Sequence, residues 1–162
     1  CRSGSGLVDA AGNFVSDIQV AVGCQQCETG MYSAPVANTR TSVCRLCSPG
    51  SNQRLVGQAT CTPCEPGTVA PVSGLSECEL CDLGAYANES SMTACHSCSD
   101  QEEQPYLWTT KIQIGQNWVL HDGASSEEEC SCVAGAFRTN RRCELCELGS
   151  ICNGDGNLTL HP

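Results

Sequence analysis

The chain has 162 residues, 16 of them cysteines, and its 18 acidic and 8 basic side chains give a formal net charge of −10. That charge argues against nucleic acid and anionic membranes as partners, since binding to either needs clustered Lys and Arg. Leu, Ile, Val and Phe together make up about 18% of the residues, too few for burial alone to stabilise a domain of this length. Cross-links must therefore replace a core, and the cysteines can supply them.

The first segment, residues 1–23, carries a signal for β structure. Apolar and polar residues alternate through 14–20, which predicts a strand, and the Ala-Gly-Asn stretch at 11–13 predicts a hairpin turn before it. We interpret the segment as an N-terminal hairpin, or the end of a preceding β module, tied on by Cys1. Because the chain opens without Met or a signal peptide, we interpret it as part of a larger protein. The absence of an 18-residue apolar run anywhere in the 162 residues predicts that this chain does not insert into a membrane.

The second segment, residues 24–98, is a repeat. Its cysteines come as C-x-x-C pairs, and the period is 17 residues from Cys44 to Cys98. A glycine follows the second cysteine by three residues at Gly30, Gly50, Gly67 and Gly84, and again later at Gly135 and Gly149. This fixed offset predicts a turn with positive φ. Two residues further on we expect a bulky side chain to cover the disulfide, as at Tyr32, Val69, Tyr86, Phe137 and Ile151, with Asn52 as the exception.

The third segment, residues 99–129, breaks the period and holds both tryptophans of the chain. Two strand-like runs, 106–114 and 117–121, flank Gly-Gln, which predicts an inserted β-hairpin. In a chain with so few aromatic residues, its aromatic side chains are the best candidates for contact with a partner protein: Tyr106, Trp108 and Trp118. The alternative interpretation is that they form a small local core between modules.

The last segment, residues 130–162, begins with C-x-C-x10-C, which is typical of the final loop of an EGF-like module, and runs into another C-x-x-C. Two sequons predict N-linked glycans, one at Asn88 in the repeat and one at Asn157 in this segment. Oxygen-bearing side chains alternate around Asp155 as in a calcium loop, but the distal Glu is missing. A glycosylated turn is the simpler interpretation, so we expect no cofactor and no metal.

One simple pairing uses every cysteine by joining the second of each pair to the first of the next. It predicts Cys1–Cys24, Cys27–Cys44, Cys47–Cys61, Cys64–Cys78, Cys81–Cys95, Cys98–Cys130, Cys132–Cys143 and Cys146–Cys152. Interleaved pairing, in which bonds cross the hinges between loops, stays open at this point. The predicted fold class is small and disulfide-rich: an elongated array of short β-hairpin and loop modules with little helix and no large hydrophobic core.

Zinc is the rival explanation of the cysteine pairs. Two C-x-x-C pairs about 13 residues apart fit a site with four cysteine ligands. However, the five pairs in residues 24–98 leave one pair over, and Cys1 and Cys152 would have no role in such sites. The sequons also favour an oxidising compartment, where disulfides form.

The repeat resembles a known family. The stretches CETGMYS, CSPGSNQ, CEPGTVA and CDLGAYA, each introduced by C-x-x-C, are similar to GCC-type, ephrin-receptor-like cysteine-rich repeats. These are similar to tumour-necrosis-factor-receptor and EGF-like modules in their use of cysteine. The resemblance covers 24–98 and part of 130–152, and Asn52 and the insertion at 99–129 depart from it. It implies an extracellular, disulfide-bonded module of adhesion proteins, receptors or fibrous surface assemblies, with no catalytic residues.

We therefore expect a non-enzymatic structural or spacer segment of a cell-surface or filament-forming protein, delivered by the secretory pathway. Its partners would be another extracellular protein or further copies of itself. The first alternative is a receptor-like ectodomain that binds a ligand through the hairpin in 99–129. The second is an intracellular zinc-binding protein. The sequence contains no catalytic motif, its three histidines lie in different segments, and an oxidised cysteine cannot act as a nucleophile.

Overall fold

The computed structural model describes residues 1–99, 107–139, 142–147, 150–152 and 158–160. Its strands are β1 (Ser5–Val8), β2 (Gly23–Gln26), β3 (Met31–Pro35), β4 (Ser42–Leu46), β5 (Ser51–Asn52), β6 (Thr62–Pro63), β7 (Thr68–Val69), β8 (Glu79–Leu80), β9 (Ala85–Tyr86), β10 (His96–Ser97), β11 (Trp108–Ile114), β12 (Asn117–Leu120), β13 (Cys130–Cys132), β14 (Ala136–Thr139), β15 (Arg142–Leu145), β16 (Ser150–Cys152) and β17 (Leu158–Leu160). A 3-10 turn spans Glu127–Glu129, and this described part of the chain contains no α-helix.

Neighbouring strands pair into small sheets. Two-stranded sheets join β1 with β2, β3 with β4, β5 with β6, β7 with β8, β9 with β10, β14 with β15 and β16 with β17, and one three-stranded sheet has the order β12-β11-β13. The longest two-stranded ladder is antiparallel and runs from Met31 opposite Leu46 to Pro35 opposite Ser42. The predicted fold class, a disulfide-rich array of short hairpins with little helix, is confirmed.

All sixteen cysteines are oxidised, and they are joined in the sequential order. The bonds are Cys1–Cys24, Cys27–Cys44, Cys47–Cys61, Cys64–Cys78, Cys81–Cys95, Cys98–Cys130, Cys132–Cys143 and Cys146–Cys152. Each loop closes before the next one begins, so the interleaved alternative does not apply. No cysteine is left as a thiolate that could bind zinc, and the zinc interpretation is therefore set aside.

The chain divides into two compact units. The first comprises Cys1–Cys64, Val69–Glu79 and Ser91–Thr93, and the second comprises Glu65–Thr68, Leu80–Ser90 and Ala94–Pro162. Each unit draws on more than one stretch of the chain. The four-part division at residues 23, 98 and 129 that the sequence suggested stays a prediction.

In the first unit, one backbone hydrogen bond recurs with the repeat. The carbonyl of the second cysteine of a pair accepts the N–H of a residue from a later loop: Gly57 donates to Cys27, Gly74 to Cys47 and Ser91 to Cys64, at 2.7–2.9 Å. All three donors have a positive φ, between 64° and 83°. The turn glycines add a second set of bonds, because Gly30 donates to the carbonyl of Gln53 and Gly50 to that of Ala70.

The turn glycines also bring two backbones close together. A Cβ on Gly30 would lie 2.0 Å from the carbonyl oxygen of Gly74, and a Cβ on Gly50 would lie 2.2 Å from that of Ser91. Both distances are far below van der Waals contact, so only glycine fits at these positions. The second unit repeats the arrangement, since Gly123 donates to Cys81 at 2.7 Å and a Cβ on Gly67 would lie 2.2 Å from the Gly123 oxygen. The positive-φ turns predicted at Gly30, Gly50, Gly67, Gly84 and Gly135 are therefore present, and the first three make close contacts between loops. Gly149, the sixth predicted turn glycine, lies outside the described residues.

Side-chain burial is limited to two small clusters. In the first unit, Leu7, Ala34 and Val43 are buried, with Val15 and Tyr32 among the partly buried residues packed on them. In the second unit, the cluster contains Cys98, Leu107, Trp108, Cys130, Cys132, Ala136 and Cys143. Disulfides make up much of the second cluster. Cross-links and backbone hydrogen bonds between loops thus take the place of a large core, as the composition predicted.

The strand predicted for residues 14–20 is wrong. Phe14 makes only an isolated bridge to Val8, and Ile18 and Val20 are exposed. The partner of β1 is instead β2, which the Cys1–Cys24 disulfide brings alongside it. The turn at residues 11–13 is present, because the Asp9 carboxylate accepts hydrogen bonds from the N–H groups of Ala11 and Asn13 at 2.9 Å. Hydrogen bonds from Asn13, most of all from its backbone N–H, lower the pKa of the Asp9 carboxyl. These bonds therefore stabilise the folded chain at pH values above the ordinary carboxyl pKa, and that stabilisation is lost as pH falls through the lowered pKa.

Candidate contact surface

The inserted hairpin is formed by β11 and β12. Their residues pair from Lys111 opposite Leu120 to Ile114 opposite Asn117, and Gly115 takes a positive φ of 65° in the two-residue connection. These strands lie inside the runs predicted at 106–114 and 117–121. A glycine at this place allows the tight turn that matches the twist of the two strands. Tyr106, one of the three predicted contact residues, lies outside the described residues.

The two tryptophans of this hairpin have different environments. Trp108 is only 7% exposed and belongs to the cluster of the second unit, where the Arg138 guanidinium lies 5.3 Å from the centre of its ring. It is held there because β11 pairs with β13 as well as with β12, so Trp108 stands opposite the buried Cys132. Trp108 is therefore a core residue, and the prediction that its ring meets a partner is wrong.

Trp118 remains the candidate contact residue. It is 57% exposed, and Ile114, Val119 and Leu120 beside it are exposed as well. Residues directly opposite in an antiparallel pair share a face, so Trp118 and Leu120 lie on one face of the hairpin and Val119 and Ile112 on the other. Both faces of β12 thus present apolar side chains to solvent.

A groove of about 200 Å³ opens beside Trp118. Its lining residues are Lys111, Trp118, Glu128, Glu129, Cys130, Ser131 and Arg138. The Lys111 ammonium donates to the carbonyl of Cys132 at 3.3 Å. Glu129 accepts a hydrogen bond from the Ser125 N–H at 2.8 Å and lies 3.7 Å from the His121 ring nitrogen. The groove therefore has charges of both signs, several of them held by neighbouring groups.

The outer edge of β12 has no hydrogen-bond partner among the described residues. The N–H of His121 donates to the carbonyl of Thr110, which makes these two residues a hydrogen-bonded pair. Bonded and non-bonded pairs alternate in an antiparallel ladder, so Val119 and Asn117 also direct their backbone groups toward β11. Trp118 and Leu120 then direct theirs away from it. β12 is an edge strand of the three-stranded sheet, and nothing in the described chain pairs with that edge.

Several other sequence-based predictions can be placed. Asn88 is exposed, whereas Asn157 and Asp155 lie outside the described residues. No group of three or more His, Cys, Asp or Glu side chains is arranged to hold a metal ion within the part of the chain that the structure describes. Among those same residues, no helix is long and apolar enough to cross a membrane.

Asn52, the exception at the bulky position of the repeat, is also accounted for. It is buried, and its side-chain amide nitrogen lies 2.8 Å from the sulfur of Cys78. A polar side chain thus contacts a disulfide of the next loop, where the repeat pattern predicts an apolar one. The sequence analysis did not predict the second set of left-handed residues, which includes Gly57 and Gly74. A signal for them was present, because each lies four residues before the first cysteine of a pair and the two are 17 residues apart.

Comparison with known proteins identifies part of the array. Residues 67–113 match the family model described as tyrosine-protein kinase ephrin type A/B receptor-like. This stretch is ephrin-receptor-like. The resemblance inferred from the sequence is thereby confirmed, and the match extends beyond the repeat as far as Gln113 in β11. No curated protein matches the chain. The ephrin-receptor-like stretch and the eight disulfides indicate an extracellular, disulfide-stabilised module of a non-catalytic type.

Proposed function

We propose that this chain is a structural spacer segment of a cell-surface or filament-forming extracellular protein, and that it has no enzymatic activity. The observation that supports this proposal is the repeated backbone ladder between consecutive disulfide loops. The same bond, from a left-handed residue to the carbonyl of a cysteine, recurs at Cys27, Cys47 and Cys64 in the first unit and at Cys81 in the second. A ladder that depends on backbone groups can be repeated without a hydrophobic core, which suits a segment that spans distance.

The order of the disulfides suits a mechanical role. Because the eight loops do not overlap, each one shortens the stretched chain to the distance between its two cysteine Cα atoms, 5.4–6.4 Å. Most residues lie inside these loops and cannot be extended while the bonds are intact. A chain pulled from its ends would therefore resist lengthening far better than an uncross-linked chain of the same number of residues.

Single-molecule stretching tests this proposal. We expect the oxidised chain to extend to roughly a quarter of the contour length of the reduced chain, which follows from about 3.5 Å per extended residue outside the loops. The double variant Cys47→Ser, Cys61→Ser is the matched control. It opens one loop, whose two cysteines are 14 residues apart in the sequence, and should lengthen the extended oxidised chain only by the length of that loop. Equal extension of the oxidised and reduced chains would contradict the spacer proposal.

A glycan on Asn88 is a second component of the proposed extracellular role. Asn88 is exposed and precedes Glu89 and Ser90 in a sequon. Its loop is closed by the Cys81–Cys95 disulfide, so the acceptor amide is presented at the surface of a formed loop. The sequon of Asn157 stays a prediction, because Asn157 lies outside the described residues.

We expect chain secreted from eukaryotic cells to lose mass on treatment with an amidase that removes N-linked glycans. The Asn88→Gln and Ser90→Ala variants should each lose one glycan, because the acceptor or the required hydroxyl is gone. Glu89→Ala is the matched control, since it changes the loop but keeps the sequon. The glycan is disproved at this position if intact mass shows Asn88→Gln and the parent chain carrying the same number of glycans.

A binding role for the hairpin is the second candidate function. The observation that favours it is the exposure of Trp118 beside a groove at an unpaired strand edge, in a chain with few aromatic residues. Tryptophan is enriched at the centres of protein interfaces because it buries a large area with little loss of conformational freedom. In this role the hairpin would carry the contact and the disulfide loops would position it.

A further inference from the structure

We propose that the edge of β12 pairs with the same edge of a second copy of this chain, forming a continuous antiparallel sheet across a two-fold axis. This inference rests on the proposal that the hairpin is a contact surface, and it names the partner. The sequence of β12 is Asn-Trp-Val-Leu, and all four residues are exposed. The strand contains no proline and no charged residue, which are the usual protections of an edge against pairing.

The backbone of β12 is suited to pairing with itself. Trp118 and Leu120 direct their N–H and C=O groups away from β11, two residues apart on the strand. If Val119 lies on the two-fold axis, Trp118 of one copy stands opposite Leu120 of the other. Each such pair can exchange two hydrogen bonds, so four bonds form between the copies. No other backbone group of β12 is needed, because those of Asn117 and Val119 already face β11.

The side chains agree with the same register. On one face, Trp118 of each copy packs against Leu120 of the other, an aromatic–aliphatic pair across neighbouring strands. On the opposite face, Val119 meets its own counterpart. Since Ile112 is directly opposite Val119 within each hairpin, an apolar row of Ile, Val, Val and Ile crosses the four strands. A shift by one residue would bring opposite faces together and break both rows.

The exposed apolar area of the hairpin and the net charge of the chain determine the expected affinity of the dimer. The large apolar residues of the hairpin, Ile114, Trp118, Val119 and Leu120, are each 43–59% exposed. They offer on the order of 400 Å² per copy, which places the dimer at or below the small end of stable interfaces. Each copy also carries a formal charge of −10, which opposes association at long range. We therefore expect a weak dimer that strengthens as salt screens the repulsion, and that becomes important where many copies are held close together.

Sedimentation equilibrium of the oxidised chain tests the proposal over concentrations from about 10 µM to 1 mM, the range in which interfaces of this size dissociate. We expect a monomer–dimer equilibrium whose association constant rises with salt. Leu120→Pro should weaken it at least tenfold, because proline removes an outward N–H that the β11–β12 ladder does not use. Trp118→Ser should weaken it similarly. Leu145→Ser is the matched control, since Leu145 is equally exposed on another hairpin and should leave the equilibrium unchanged.

The register has its own test. Val119→Cys should form a disulfide between copies, because two residues that meet across a non-bonded antiparallel pair have the separation that a disulfide needs. Asn117→Cys should not, since its sulfur would lie two residues from the axis on each strand. Intact mass after proteolysis identifies the bond, and retention of the eight native disulfides shows that each variant is folded.

Three outcomes overturn the proposal: a chain that stays monomeric at every concentration, a Leu120→Pro variant that dimerises as well as the parent, or cross-linking at position 117 in preference to 119. Association that falls with salt would also overturn it, since it would indicate contacts between opposite charges. None of these results bears on the spacer function, which is measured on single molecules. A further result would separate the two proposals: the parent chain does not self-associate but binds a different protein, and Trp118→Ser loses that binding. The hairpin would then still be a contact surface, but its partner would not be a second copy of this chain.

Discussion

Replacement of Gly50 by alanine is expected to destabilise the first unit by several kcal/mol. Gly50 has a φ of +81°, and an added Cβ would lie 2.2 Å from the carbonyl oxygen of Ser91. That oxygen belongs to the backbone, so no rotation of a side chain can relieve the overlap. The N–H of Gly50 bonds to Ala70, and its carbonyl accepts from Cys64, so moving the turn also breaks the ladder. A substitution that combines backbone strain with broken hydrogen bonds belongs among the most damaging single changes.

Gly12 provides the matched control for this substitution. Its φ is +86°, nearly the same as that of Gly50, but no atom lies within 4 Å of the position where a Cβ would stand. Gly12→Ala should therefore cost only the strain of the left-handed conformation, about 1–2 kcal/mol. Denaturant unfolding of the oxidised chain measures both variants. If the two lose the same free energy, close packing of the loops contributes nothing and the ladder is not what joins them.

Full reduction of the eight disulfides is expected to abolish the fold. Few residues are apolar, and the buried clusters are small, with disulfide sulfur forming much of the one around Trp108. In the chain-entropy model, a disulfide that closes a loop of about 15 residues contributes roughly 3 kcal/mol, so eight of them exceed the net stability of a typical domain. The loss can be followed as collapse of amide chemical-shift dispersion when reductant is added.

Removing a single disulfide by substitution separates the effect of losing the bond from any other effect of the reductant. Paired Cys64→Ser, Cys78→Ser substitution should cost about 3 kcal/mol, from the loop it opens. It should also release Asn52, whose amide contacts the Cys78 sulfur. Asn52→Ala alone measures that second contribution and should cost far less. A chain that keeps its dispersed spectrum in strong reductant would show that burial, and not cross-linking, holds this fold together.

The repeat made much of the architecture predictable. A glycine three residues after the second cysteine of a pair correctly indicated left-handed turns at Gly30, Gly50 and Gly67, because few residues other than glycine adopt that conformation. The hairpin of β11 and β12 followed from two strand-like runs on either side of a short glycine-containing connection. In each case the signal lies within a few residues along the chain, and local geometry decides the outcome.

The failures have a common cause. Alternation through residues 14–20 predicted a strand, but a strand needs a partner, and β1 is paired with β2 next to the Cys1–Cys24 bond. The tryptophans at 108 and 118 look alike in sequence, yet pairing with β13 buries the first and leaves the second exposed. Asn52 likewise has its role only because Cys78 is beside it. These outcomes depend on residues distant in the chain, which local patterns do not report.

The dependence on cross-links, the repetition of the modules and the need for glycine in the turns can all be inferred from the amino-acid sequence, because composition, spacing and φ preference are local properties. How the loops are joined, and which edge of the hairpin is unpaired, follows from contacts between residues distant in the chain. The ladder of hydrogen bonds from Gly57, Gly74 and Ser91 to the cysteine carbonyls is made by backbone groups. Because these groups are the same in nearly every residue, the side chains in the sequence do not predict it. The unpaired edge at Trp118 and Leu120 is likewise a property of strand order, which arises when β11 takes β13 as its other neighbour.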